Sequence, residues 1–140
     1  MLLFAVAGTP TIYYGDEQAF RGVKEERVGG DDAVRPEFPS DGPAALSPLG
    51  EETYRLHQAL IGLRRRHPWL HRARTATLHL TNTAIVLECA ADGQRLVVAL
   101  NLDDAEAEHK IDGVAEILVG VADLTGAAAT IPPHGWAVLA

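Results

Sequence analysis

Five short runs rich in β-branched and apolar residues fill the second half of the chain: TATLHL, TAIVLECA, QRLVVALNL, EILVG and HGWAVLA, all between Arg74 and Ala140. Turn residues separate them, which is the pattern of an antiparallel β-sandwich. Ala91-Asp92-Gly93 predicts a hairpin between the second and third runs, and Asp112-Gly113 and Thr125-Gly126 mark later reversals. There is no internal repeat and no low-complexity tract.

The first half has a different texture. Met1 to Ala7 is apolar all round, as in the end of a core helix buried on every side, and Gly8 stands where a left-handed stop is usual. Thr11, Ile12, Tyr13 and Tyr14 are β-prone without alternation, which predicts a strand buried on both faces of a parallel sheet and ending at Gly15. Asp16 to Pro43 is rich in Gly, Pro, Asp and Glu and reads as a long loop of the kind that carries function. Ser47-Pro48 then caps a helix whose first turn holds Glu51 and Glu52, whose apolar face holds Leu56, Leu60 and Leu63, and which Pro68 stops. Arg64, Arg65, Arg66 and His67 complement the negative end of its dipole, a better account of them than a nucleic-acid patch.

Composition narrows the classes of function. A chain of 140 residues holds one domain, or one small domain and a fragment of another. Its 12 Lys plus Arg against 19 Asp plus Glu give a net charge of -7, so nucleic acid and anionic membrane surfaces are not expected partners. No apolar run reaches the roughly 20 residues a membrane helix needs. The apolar start lacks the basic segment of a signal peptide, so a cytoplasmic location is expected. Cys89 is the single cysteine, expected to be a small buried hydrophobe, with no disulfide and no thiolate cluster for zinc. His57, His67, His71, His79, His109 and His134 have no spacing that suggests a metal site or a base for a nucleophile. No cofactor and no metal ion are expected.

With these elements in place, GTPTIYYGDE resembles the eighth barrel strand of the α-amylase family of glycoside hydrolases. The loop GGDDAVRPEFP, the helix ending LIGLRRRHPWL, and the segments RLVVALNLDD and IPPHGWAVLA resemble, in order, that family's loop after the strand, last barrel helix and C-terminal Greek-key sandwich. The resemblance implies an α+β fragment: residues 1–73 as the last βα unit of a (β/α)8 barrel, and residues 74–140 as an antiparallel Greek-key β-sandwich. It implies an α-glucan or maltooligosaccharide substrate and a retaining mechanism with two carboxyl groups about 5 to 5.5 Å apart. In the family those groups come from the fourth and fifth strands, with a third acid after the seventh. All would precede Met1, so no catalytic residue is expected here and the chain alone is expected to be inactive. Residues 1–14 would need the missing barrel portion, or would self-associate. Calcium, used by many relatives, finds no ligand-rich loop.

By the same resemblance, Arg35 with Asp31 or Asp32 would grip sugar hydroxyls after the eighth strand. A carboxylate accepts from vicinal hydroxyls and a guanidinium donates to their oxygens. The plain alternative is an Asp-Arg surface pair that stiffens the loop. Asp16 and Glu17 adjoin on an extended segment and point to opposite sides, so they do not flank one glycosidic bond. With Tyr14 they are candidates for support at the strand end, or are solvated acids. Trp69 and Trp136 each adjoin an apolar run and are expected to pack. A reading of another class is a non-catalytic β-sandwich module that binds carbohydrate or a partner protein. An exposed aromatic row would favour it, and aromatic residues at 6% argue against one.

Overall fold

The computed structural model describes residues 1–41 and 47–140. Those residues form two compact units, one of Met1–Pro10 with Leu60–Ala140 and one of Thr11–Ala59. The chain is α+β, with every strand pairing antiparallel.

In the larger unit eight strands make two sheets. They are β1 (Arg74–Leu80), β2 (Ala84–Ala91), β3 (Gln94–Asn101), β4 (Ala107–Lys110), β5 (Ile117–Gly120), β6 (Asp123–Thr125), β7 (Ala128–Ile131) and β8 (Trp136–Leu139). One sheet has the order β1-β2-β3-β8-β5 and the other β4-β7-β6. The chain therefore changes sheet after β3, β4, β5 and β7, and β8 returns to sit between β3 and β5. Val86, Val97, Ala99, Ala137 and Leu139 of the first sheet share one core with Ala129 and Ile131 of the second, and with Ile111, Val114 and Ala122 from the connections. The five β-prone runs are β1, β2, β3, β5 and β8, the whole of the first sheet, whereas β4, β6 and β7 of the second lie outside them.

The run QRLVVALNL is apolar at successive positions because its strand is covered on both faces. Val97 and Ala99 belong to the core between the sheets, while Leu96 and Val98, on the opposite face, are equally buried. On β2, Leu87 and Cys89 lie on that second face, and the 3-10 turn Pro68–Arg72, with Trp69 and Leu70 buried, packs against this strand. The hairpin between β2 and β3 has the two-residue turn its sequence demands. Asp92 and Gly93 both have positive φ, 52° and 74°, and Ala91 pairs with Gln94. Two left-handed residues match the right-handed twist of the strands they join. Gly120, at φ 97°, closes β5 where a Cβ would lie 2.3 Å from the Trp136 carbonyl oxygen, so a glycine is required there.

The N-terminal residues find partners within this unit. A single helical turn, α1 (Leu2–Ala5), buries Phe4 and Ala5. The Arg64 guanidinium, expected only to complement the dipole, donates to the carbonyls of Phe4 at 3.1 Å, Val6 at 2.7 Å and Gly8. The Ala7 amide donates to the Thr75 hydroxyl and the Gly8 amide to the Leu70 carbonyl.

The expected strand Thr11–Tyr14 does not form. These residues pair with no strand, and Tyr13 and Tyr14 are about half exposed. A parallel strand gets its hydrogen bonds from neighbours, and none of the described residues supplies them. The helix α2 (Pro48–Arg66) begins where the capping pattern places it, with the Gly50 amide donating to the Ser47 hydroxyl at 3.0 Å, and Leu60 and Leu63 are fully buried. Among the described residues no helix is long and apolar enough to cross a membrane.

Candidate functional site

The candidate residues Tyr14, Asp16, Glu17, Asp31, Asp32 and Arg35 all lie in the unit Thr11–Ala59. A tight turn carries the first three. Gly15, at φ 88°, packs against the Phe20 ring and leads into a 3-10 turn over Asp16–Gln18, and Ala19 leaves it with a positive φ of 52°. The chain folds back on itself here, which places Asp16 in solvent and Glu17 half-buried.

Glu17 is built into the turn. Its carboxylate accepts from the Gly15 amide at 3.0 Å and from the Gln18 side-chain amide at 2.7 Å. Burial pushes its pKa up, but the hydrogen bonds from Gln18 and the backbone, with the nearby His57, prevail and hold it below the usual carboxylate range. An anion held this way is a structural strut. Among the described residues Asp16 is held by backbone hydrogen bonds alone, its amide donating to the Tyr13 carbonyl. Two adjacent acids thus have different surroundings, and neither faces the other as a glycosidase pair would.

The loop that carries the other candidates is shaped by glycines. A Cβ at Gly22 would fall 1.6 Å from the Ala33 carbonyl oxygen, and one at Gly30 1.9 Å from that of Glu25. The backbone passes so close to itself at these two points that only hydrogen fits. Asp32–Val34 form a 3-10 turn, anchored by the Asp32 amide on Gly29 and the Arg35 amide on Asp32, at 3.0 Å for the latter.

The structure places the three polar side chains in different company. Asp31 pairs with Lys24, Oδ1 to Nζ 3.3 Å, with both side chains largely in solvent. Among the described residues no hydrogen bond or ion pair engages the side chains of Asp32 or Arg35. Arg35 lies close enough to Tyr14 to favour its phenolate electrostatically. The adjacent Tyr13 hydroxyl acts more strongly in the other direction, so the Tyr14 pKa is raised overall. The rings of Tyr13 and Tyr14 are 4.7 Å apart and exposed. Next to Arg35 in sequence, a shallow cavity of about 220 Å³ is lined by Phe20, Arg21, Pro36, Glu37 and Pro39, and the rings of Phe20 and Phe38 stand 5.4 Å apart.

Sequence reasoning missed Lys24 and this aromatic pair. Lys24 and Asp31 lie seven positions apart in a loop, and Phe20 and Phe38 lie 18 apart, in a segment without a period that would pair them. Exposed guanidinium, carboxylate and aromatic groups on one loop suit a polyhydroxylated ligand, which offers hydroxyls to the first two and apolar ring faces to the third. Among the described residues no group of three or more His, Cys, Asp or Glu is arranged to hold a metal ion.

No family model matches the sequence, and no curated protein does. Solved structures do match its fold. A debranching enzyme from Nostoc punctiforme, soaked with acarbose, superposes with a TM-score of 0.75 at 22% identity over 99% of this chain and 27% of its own. An inactive double mutant of the trehalulose synthase MutB, in complex with isomaltulose, gives 0.76 at 17% identity, over 99% of this chain and 36% of its own. The α-glucosyl transfer enzyme XgtA gives 0.71 at 17% identity, over 99% and 34%. The chain has the fold of a part of these enzymes. It spans about a third of the length of these neighbours.

Proposed function

We propose that the chain is the C-terminal portion of a retaining α-glucan-active glycoside hydrolase or transglycosylase of the α-amylase family, with its catalytic carboxylates outside these 140 residues. On this reading residues 1–73 belong to the end of a (β/α)8 barrel, and residues 74–140 are the sandwich domain that follows it. What carries the reading is that 99% of the chain follows the fold of enzymes with three different activities while spanning only 27 to 36% of each. The unpaired state of Thr11–Tyr14 fits a strand whose sheet neighbours lie elsewhere.

Within that enzyme Arg35 and Asp32 act as the sugar clamp. Asp31 is engaged by Lys24, whereas the side chains of Asp32 and Arg35 have no partner among the described residues and can spend their hydrogen bonds on hydroxyls. Tyr14 and Glu17 support the turn that leads to them. The aromatic row that a sugar-binding sandwich would need is missing among the described residues of β1–β8, which hold the half-buried Trp136 alone of Phe, Tyr and Trp.

Two measurements test this. Purified chain should release no reducing sugar from maltooligosaccharides, and turnover that follows the protein and vanishes on a substitution within it would refute the fragment reading. In the complete enzyme, Arg35→Ala should lower kcat/KM about ten- to hundredfold, since a hydrogen bond from a charged group contributes about 1.5–3 kcal/mol. Asp32→Ala should fall in the same range and Asp31→Ala should stay near wild type. Full kcat/KM in Arg35→Ala would remove the clamp.

A further inference from the structure

The sandwich holds a pair of imidazoles that sequence spacing does not reveal. His79 on β1 and His109 on β4 come from different sheets and lie 30 residues apart, yet their rings are 5.0 Å between centroids, at 53°. A β-bulge brings His79 there. Thr77 pairs with Leu87 and His79 with Val86, so Leu78 is the extra residue. Without the bulge His79 would stand opposite Ile85, on the other face. With it, His79 shares the face of Val86, which belongs to the core between the sheets. His109 is directed inward by ordinary alternation: it pairs with the core residue Ala129, and its neighbours Glu108 and Lys110 are exposed.

Both histidines line one cavity of about 240 Å³, with Leu78, Val86, Glu108, Lys110 and Ile111. His109 is only 7% exposed, and its Nε2 has no hydrogen-bond partner. A buried ring nitrogen without a partner is costly unless something binds it.

We propose that His79 and His109 form a two-imidazole site for a borderline divalent cation, Zn²⁺, Ni²⁺ or Cu²⁺, between the two sheets. The separation fits. With metal–nitrogen bonds of about 2.0–2.1 Å and a tetrahedral angle, two imidazoles on one ion have centroids about 5.2 Å apart. Imidazole ligands select these metals over calcium and magnesium, which take oxygen. The described residues offer no cluster of three protein ligands, so water completes the coordination, and the cavity has room for it. Exposed His79 gives the ion a way in, and Glu108 on the rim offsets the charge of Lys110.

The test is calorimetric titration of the untagged chain with Zn²⁺, and electron paramagnetic resonance with Cu²⁺. One ion should bind per chain, Mg²⁺ and Ca²⁺ should not bind, and the Cu²⁺ spectrum should show coupling to two imidazole nitrogens. His79→Ala, at an exposed position that leaves the core intact, should weaken Zn²⁺ binding by about tenfold or more. His109→Gln should do the same if it folds. Binding should weaken in acid, since the metal binds imidazole only in its deprotonated form. Absence of Zn²⁺ binding, undiminished binding in His79→Ala, or a Cu²⁺ spectrum without imidazole nitrogen would each overturn the site.

Discussion

Asn101 ends β3 and is fully buried, a polar side chain where the strand leaves the core. Its Nδ2 donates to the carbonyls of Ala105 at 2.8 Å, Pro132 at 3.1 Å and Ile131 at 3.3 Å, and its Oδ1 accepts from the Asp103 amide at 3.0 Å. One amide group thus ties the β3–β4 crossing to the β7–β8 turn. Replacing it by alanine removes three donated contacts, which share two amide protons, and one accepted bond, and strands the buried Ile131 carbonyl besides; at about 1 kcal/mol net for each bond, Asn101→Ala should cost about 3–4 kcal/mol. Asn101→Asp separates hydrogen bonding from volume. It keeps the shape and the bond from Asp103, but turns a carboxylate oxygen toward three carbonyls. At pH 7 it should cost at least as much as alanine. The sign with pH follows from its environment: burial and facing carbonyls raise the folded pKa of the introduced carboxyl above its unfolded value. The folded state therefore takes up the proton first, and the deficit should shrink as pH falls below about 5. Hydrogen exchange of β3 and β8 amides, with urea unfolding followed by circular dichroism, measures both effects. If Asn101→Ala stays within about 0.5 kcal/mol of wild type, or Asn101→Asp matches wild type at pH 7, the side chain is not the tie described.

Gly120→Ala should destabilise by about 2 kcal/mol or more, since its Cβ would meet the Trp136 carbonyl in a left-handed backbone. Gly126→Ala, at φ 60° with nothing within 4 Å, should cost only about 1–2 kcal/mol, so equal losses in thermal unfolding would count against the close approach at Gly120. Arg64→Ala should speed hydrogen exchange at residues 4–8 while leaving β3 protected, because its guanidinium binds three carbonyls there. His109 and His67 both have depressed pKa values, mainly from burial. The unfolded chain therefore binds more protons, and stability should be complete above about pH 6.5 and decline as pH falls through the range below it. His109→Phe should flatten that decline in pH-dependent melts.

What could be read from the sequence was what neighbours along the chain decide. Asp92-Gly93 makes its turn because two adjacent residues tolerate positive φ, and Ser47 caps α2 with an amide three residues away. The five strands of the first sheet announce themselves by composition, whereas β4, β6 and β7 of the second are short and carry no such run. Thr11–Tyr14 has equal β propensity and forms no strand. Propensity supplies a shape, and only a neighbouring strand supplies the hydrogen bonds that make the shape worth its lost entropy.

The candidate sites divide along the same line. The side chains of Asp31, Asp32 and Arg35 could be chosen from the loop sequence, but not which acid is engaged, because that depends on Lys24 across a fold closed by Gly22 and Gly30. His79 and His109 have no ligand spacing along the sequence. Metal spacings are a property of ligands carried on one helix or one turn, where the period fixes the geometry. Between two sheets the relevant quantity is register, and one extra residue at Leu78 moves every later side chain of β1 to the opposite face. That gives the pairing a direct handle. Deleting Leu78 removes the extra residue and leaves His79 opposite Val86 by regular alternation, on the face of His109. The strand itself would persist, since β1 is exposed along its whole length and has no core packing to lose. Zn²⁺ binding should then stay near wild type, with melting little changed. If the deletion abolishes binding, the pairing with Val86 is not what aims His79.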